Sequence, residues 1–147
     1  MNKLQIKQIA ILSAVFGAFL GIVTLIPYIG ILSFLICTFA MGSIILFYLQ
    51  KIELIGELET KSWSIYGAIS GFVGFIGFSI TFVPLATIIG LFVKTSYYLG
   101  ISIMFRIGFF ITLLMVLFVA LISALMNGFG AMTTSYALNF YNEVKKQ

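Results

Sequence analysis

Residues 67–77 read GAISGFVGFIG and place four glycines in eleven positions. The stretch lies inside a run of 32 residues, 62–93, that carries no charge. A run of about 20 apolar residues is long enough to cross the hydrocarbon core of a bilayer as a helix. Glycine weakens a helix in water, but in lipid small residues let two helix backbones approach closely. The stretch therefore predicts a membrane-spanning helix whose glycines face neighbouring helices.

The rest of the chain has a matching composition. Of its 147 residues, 62% are hydrophobic and 8% are charged, and the mean hydropathy is +1.21. A soluble domain carries roughly 25% charged residues. Two further runs are uncharged. Residues 8–50 are long enough for two spans, and residues 107–142 for at least one. These runs lack the alternation of polar and apolar residues that a membrane β-barrel needs, so we predict an all-α polytopic transmembrane helix bundle.

Breaks within the runs place the spans. We predict four, at about 7–26, 29–50, 63–83 and 105–127, in a single membrane domain of residues 1–147. Pro27 separates the first two, because proline lacks a backbone donor and disfavours helix in the preceding residue. The charged segment 51–62 forms a cytoplasmic loop, and Pro84 ends the third span. Residues 129–147 form an amphipathic tail along the membrane surface.

The segment 85–98 admits two interpretations. Nine residues, 85–93, separate Pro84 from Lys94, and nine helical residues rise about 13 Å against ~30 Å for the hydrocarbon core. We therefore expect a re-entrant or interfacial segment here. The alternative is a fifth span over residues 85–106, which would hold Lys94 near its middle at a cost of ~2.5 kcal/mol or more.

The positions of Lys and Arg predict the orientation. In the four-span arrangement, six of the eight basic residues share one side and two lie on the other. Cytoplasmic segments carry the excess of basic residues, so we expect a multi-pass protein of the cell membrane with both termini in the cytoplasm. The two far-side residues, Lys94 and Arg106, are candidates for contact with an anion or a lipid headgroup. Alternatively, they snorkel from helix ends to the interface.

A weak internal repeat relates residues 13–27 to residues 70–84 at an offset of 57. The identical pairs are Ser13 and Ser70, Gly17 and Gly74, Thr24 and Thr81, and Pro27 and Pro84. Chance matches are common in so biased a composition, so duplication and coincidence both stay open. If the two segments face each other, Thr24 and Thr81 are candidates to line a polar path. Such hydroxyls more commonly bond to a carbonyl one turn earlier.

Small residues spaced four apart form stripes, because such residues share one face of a helix. The candidate helix-packing residues are Ser13, Gly17 and Gly21 in the first span, Gly67, Ser70, Gly71 and Gly74 in the third, and Ala120, Ala124 and Gly128 in the fourth. These faces either hold the helices of one chain together or join copies of the chain in an oligomer.

The chain lacks the side chains that most catalytic and metal sites need. It has no histidine and no aspartate, and its four glutamates lie outside the uncharged runs. A proton relay, a zinc site or a carboxylate pair would need such groups at membrane depth. The net charge of +4 flanks apolar runs, which indicates contact with lipid rather than with nucleic acid. We therefore expect no enzymatic activity and no cofactor.

The sequence thus predicts a small multi-pass membrane protein that acts by packing. The expected role is a scaffold, an accessory subunit or a homo-oligomer, with the lipid bilayer and a larger membrane complex as partners. The alternative is a passive channel or transporter for a small uncharged or anionic solute or for a lipid.

Overall fold

A computed structural model describes residues 3–56, 58–92 and 108–146. The long helices in these ranges are α1 (Lys3–Val23), α2 (Ile29–Lys51), α3 (Thr60–Phe92) and α4 (Phe109–Lys146). Each is long and apolar enough to cross a membrane. The predicted all-α bundle is confirmed, with four helices as in the four-span arrangement. Residues 93–106 of the alternative fifth span lie outside the described residues.

Helix α3 is the centre of the bundle. It packs along both α1 and α4, while α2 contacts all three other helices. Helices α1 and α3 run parallel, since Gln5 bonds Tyr66 near the start of both and Ser13 bonds Ser70 further along. Helix α4 is antiparallel to α3, since Ser135 near its end bonds Thr60 at the start of α3. The start of α1 and the end of α4 therefore lie at the same end of the bundle as the loop between α2 and α3.

The turn between α1 and α2 lies at the opposite end. It contains Pro27, as the sequence predicts, and Tyr28, which has a φ of 69° and is 96% exposed. The Gly30 N–H donates to the Ile26 carbonyl at 3.0 Å across the turn. Buried Ser33 then donates to the Leu20 carbonyl at 2.8 Å. This short connection fixes α1 and α2 as an antiparallel hairpin.

Helix α3 does not end at Pro84. It continues to Phe92 and has 33 residues, about 50 Å at 1.5 Å per residue. Proline removes one hydrogen bond from the ladder, a loss that membrane helices tolerate when other groups satisfy the backbone. Residues 85–92 of the predicted re-entrant or interfacial segment 85–98 are thus the last turns of α3. Lys94 and Arg106 lie outside the described residues.

Helix α4 joins the predicted fourth span and the predicted tail into one helix of 38 residues. Its packed portion is displaced toward the chain end relative to the predicted span 105–127. Val116 lies opposite Phe82 across a cleft, whereas Ser135 bonds Thr60. A hydropathy pattern selects the most apolar run, but here Ser123, Asn127 and Ser135 of α4 are buried and stay within the bundle.

The arrangement of the turns predicts a labelling pattern. We expect Tyr28→Cys to react with a membrane-impermeant maleimide in intact cells, and Gly56→Cys to react only after permeabilisation. Both positions are exposed, and they lie at opposite ends of the bundle. Native Cys37 is fully buried and serves as the unlabelled background. Labelling of both variants from one side would contradict the fold, and the reverse pattern would overturn the predicted cytoplasmic termini.

Candidate functional site

The stripe on α1 faces α3. A Cβ added at Gly17 would collide with the Gly74 carbonyl oxygen, and one added at Gly21 would collide with the Thr81 hydroxyl. Ser13 donates to Ser70 at 2.8 Å in the same interface. The two backbones are therefore in direct contact, and any larger side chain at Gly17 would force the helices apart.

The stripe on α3 around Gly67 and Gly71 faces α4. A Cβ at Gly71 would lie 2.5 Å from the Ser123 carbonyl oxygen, and one at Gly67 would lie 2.7 Å from the Asn127 carbonyl oxygen. Of the predicted residues on α4, Gly128 packs against α3, Ala120 is fully buried and Ala124 is half-buried. The structure thus places the small-residue faces at contacts within one chain.

Of the two threonines proposed for a polar path, Thr81 lies at the interface of α1 and α3, and Thr24 is buried just after the end of α1. Thr24 donates to the Leu20 carbonyl at 2.7 Å, and Thr81 donates to the Ala18 carbonyl at 2.9 Å. Each hydroxyl is thereby bonded to backbone. Since the Thr81 oxygen also packs against Gly21, the interface is closed beside it, and this geometry does not favour the channel alternative.

Equivalent positions of the weak repeat meet in this interface. Ser13 bonds Ser70 and Gly17 contacts Gly74, and both pairs are separated by the offset of 57. Parallel helices that meet at equivalent positions are related by a local pseudo-twofold axis. The duplication itself stays a prediction.

The most polar part of the described interior lies where α2, α3 and α4 meet. Helix α2 contains one π-helical turn, Ile36–Ala40. Such a turn bonds each N–H to the carbonyl five residues earlier and leaves nearby backbone groups without their usual partner. The Gly42 N–H donates to the Asn127 side-chain oxygen at 2.7 Å. The freed backbone of α2 is thus satisfied by a side chain from α4.

Asn127 also serves the carbonyl groups of this turn. Its side-chain nitrogen lies 3.1 Å from the Cys37 carbonyl oxygen and 2.8 Å from that of Thr38. Ser123, one turn earlier on α4, donates toward the Cys37 and Gly71 carbonyls at 3.3 and 3.1 Å. We call Asn127, Ser123 and these backbone groups the polar junction. It links three helices. Within it, the Asn127 side chain bonds the backbone groups of α2 at and beside the π-helical turn.

Glycine makes room for the polar junction. A Cβ added at Gly71 would lie 2.8 Å from the Asn127 side-chain nitrogen, and one at Gly42 would lie 3.2 Å from the Asn127 Cβ. Asn127 itself is fully buried. Its level is near the middle of a helix apolar enough to cross a membrane, because neighbouring Gly71 follows Ser70, which bonds Ser13 at the midpoint of α1. A polar residue at that depth is expensive unless it is bonded, and is usually structural or functional.

The sequence pattern does not single out Asn127, Ser123 or Gly42. Asn127 ends the most apolar part of the last uncharged run, so the pattern predicts it at the boundary of a span. One available signal is its spacing from Ser123, since residues four apart share a helix face. The π-helical turn has no comparable signal in its residues, ICTFA.

Comparisons of the chain with protein-family models, with curated proteins and with solved structures find no match. The geometry of the bundle therefore carries the functional interpretation: a membrane protein with four apolar helices, held together by small-residue contacts and one buried polar junction.

Proposed function

We propose that this chain is a non-catalytic membrane subunit, a scaffold or accessory component, that docks α4 against a helix of another membrane chain. The use of the helix faces supports this role. The small-residue faces of α1 and α3 are occupied within the bundle, so they are not free to join separate chains. Association must then use the large apolar side chains that the bundle leaves outside.

The outer face of α4 is the observation that carries the proposal. Large apolar side chains recur there every three or four residues, and we call them the α4 ridge. Within the packed portion of α4, the exposed ridge residues are Phe110, Leu114, Phe118, Leu121, Leu125 and Phe129. Lipid by itself is sufficient to cover this portion of the ridge, so this portion alone does not require a partner.

The α4 ridge continues beyond the contact between Thr60 and Ser135. Tyr136, Phe140 and Val144 lie on the same face and are 57%, 69% and 57% exposed. The final eleven helical residues, 136–146, reach about 16 Å past that contact. Leu138 among them packs against the core, whereas the three ridge residues lie outside it. A partner helix that runs beside α4 would bury both portions of the ridge at once, and a continuous apolar stripe suits helix-to-helix docking.

Photo-cross-linking tests the proposal. Benzoylphenylalanine placed at Phe118 and at Phe140 samples the two portions of the ridge. The matched control is Phe19, which is 58% exposed on the outside of α1. In native membranes we expect protein adducts of one defined mass from both ridge positions and lipid adducts from Phe19. An adduct of twice the chain mass would identify the partner as a second copy. Lipid adducts alone at Phe118 and Phe140 would contradict the docking role.

A further inference from the structure

An apolar cleft of about 270 Å³ lies between the start of α2, the middle of α3 and the start of α4. Phe34 from α2 meets Phe75 and Phe78 edge-on, with ring centroids 6.2 and 6.0 Å apart. Phe78 stacks on Phe75 at 5.5 Å and on Phe82 at 5.2 Å. Helix α4 supplies the opposite wall with Thr112, Met115, Val116 and Val119. The cleft therefore offers ring faces and edges on one side, and on the other a mainly aliphatic surface that includes the Thr112 hydroxyl.

The surroundings of the cleft limit what reaches it. Phe34 and Met115 are 39% and 43% exposed on the outside of the bundle, at a level where all neighbouring helices are apolar. Molecules that enter are thus those dissolved in the bilayer. Since an apolar cavity of about 150 Å³ accepts benzene, this cleft has room for a larger ring.

One polar group in the cleft has an unused hydrogen bond. Ser79 lines the cleft and is only 6% exposed, yet none of the hydrogen bonds found between described residues involves its hydroxyl. Every other buried serine, threonine and asparagine side chain among the described residues takes part in such a bond. Its oxygen is not sealed off, because the one fully enclosed side-chain atom there without a partner is Gln8 Oε1. Ser79 is therefore available to a molecule in the cleft.

We propose that this cleft binds a planar, ring-bearing lipid-soluble molecule that carries a carbonyl or hydroxyl oxygen. The rings of Phe75, Phe78 and Phe82 receive the planar ring by offset stacking and edge contacts, and the Ser79 hydroxyl bonds the oxygen. An apolar pocket with a small number of placed polar groups, here the Ser79 and Thr112 hydroxyls, has the usual composition of a small-molecule site. The site is separate from the α4 ridge, so it does not depend on the scaffold role.

Competitive photolabelling in phosphatidylcholine vesicles tests the site, with an azidonaphthoquinone as the probe. We expect adducts on peptides that contain Phe75–Phe82 and Thr112–Val119. Excess 1,4-naphthoquinone should compete about fivefold better than naphthalene, because one hydrogen bond contributes about that factor. Ser79→Ala should remove this preference, and Val116→Trp should fill the cleft and abolish labelling. Ser43→Ala, a half-buried serine outside the cleft lining, should behave as the wild type.

Three results would overturn the proposal. One is labelling that neither competitor reduces, which would show partition into the lipid alone. Another is an unchanged preference for naphthoquinone in Ser79→Ala. The last is competition by palmitic acid but not by naphthoquinone, which would assign the cleft to an acyl chain. Circular dichroism of each variant confirms that lost labelling does not reflect unfolding.

Discussion

Replacing Gly17 with leucine is expected to lower the free energy of unfolding by about 3 kcal/mol, the upper range for overpacking a well-packed interior. The cost is large because the first added carbon already collides with the Gly74 carbonyl oxygen. Backbone cannot move aside as a flexible side chain does, so α1 and α3 must separate. Separation would also break the hydrogen bond from Ser13 to Ser70. Unfolding in mixed micelles, followed by circular dichroism, measures the change.

A matched variant on the same helix controls for the added leucine. Val15 is 63% exposed on the outside of α1, so Val15→Leu should change stability by less than about 0.5 kcal/mol. The stability cost of replacing a glycine with alanine should depend on the space around that glycine. Gly71→Ala would place a Cβ 2.5 Å from backbone, whereas Gly128→Ala would place it 3.2 Å from the nearest atom, so the former should cost more. Equal stabilities for Gly17→Leu and Val15→Leu would contradict the close contact of the two helices.

The spacing of small residues predicts much of the fold, because it is a property of each helix by itself. Gly17, Gly67 and Gly71 show from sequence alone which helix face is small, and in lipid a small face is the one that packs. The same spacing does not name the partner helix. Within-chain and between-chain contacts depend on the same physical interactions, so the sequence leaves both the oligomer and the single bundle open for Ser13 and Gly21. Only the three-dimensional arrangement assigns them to contacts within the chain.

Polar residues limited the prediction in the last helix. Asn127 in an apolar run either ends a span in the headgroups or turns inward to other helices, and hydropathy cannot separate these outcomes. In the structure Asn127 turns inward, because the turn Ile36–Ala40 offers backbone groups that need hydrogen-bond partners. Pro84 is the converse case. The sequence predicts a helix end at Pro84, whereas α3 continues through it, and only the backbone hydrogen bond that the proline nitrogen cannot donate is missing.

Replacing Asn127 with alanine is expected to lower the free energy of unfolding by about 3 kcal/mol. The Gly42 N–H and the Thr38 carbonyl would lose the partner that lies 2.7 and 2.8 Å away. Each buried group left without a partner costs about 1–3 kcal/mol, and two groups are left here. This penalty exceeds the net contribution of an average hydrogen bond between membrane helices, ~0.6 kcal/mol. Asn139→Ala, on an exposed position of the same helix, should leave stability within about 0.5 kcal/mol of the wild type.

Deleting Phe39 is expected to reduce the cost of Asn127→Ala from about 3 to about 1 kcal/mol. The deletion lets backbone groups of α2 bond each other, so they no longer need the Asn127 side chain. A π-helical turn amounts to one extra residue in an α-helix, and Phe39 is an exposed member of that turn. Without it, the flanking residues of α2 keep their faces, and the Gly42 N–H finds an α-helical carbonyl. Unfolding of the wild type, both single variants and the double variant forms a cycle that isolates this coupling. If Asn127→Ala costs the same in both backgrounds, Asn127 stabilises the bundle by filling space rather than by satisfying the turn.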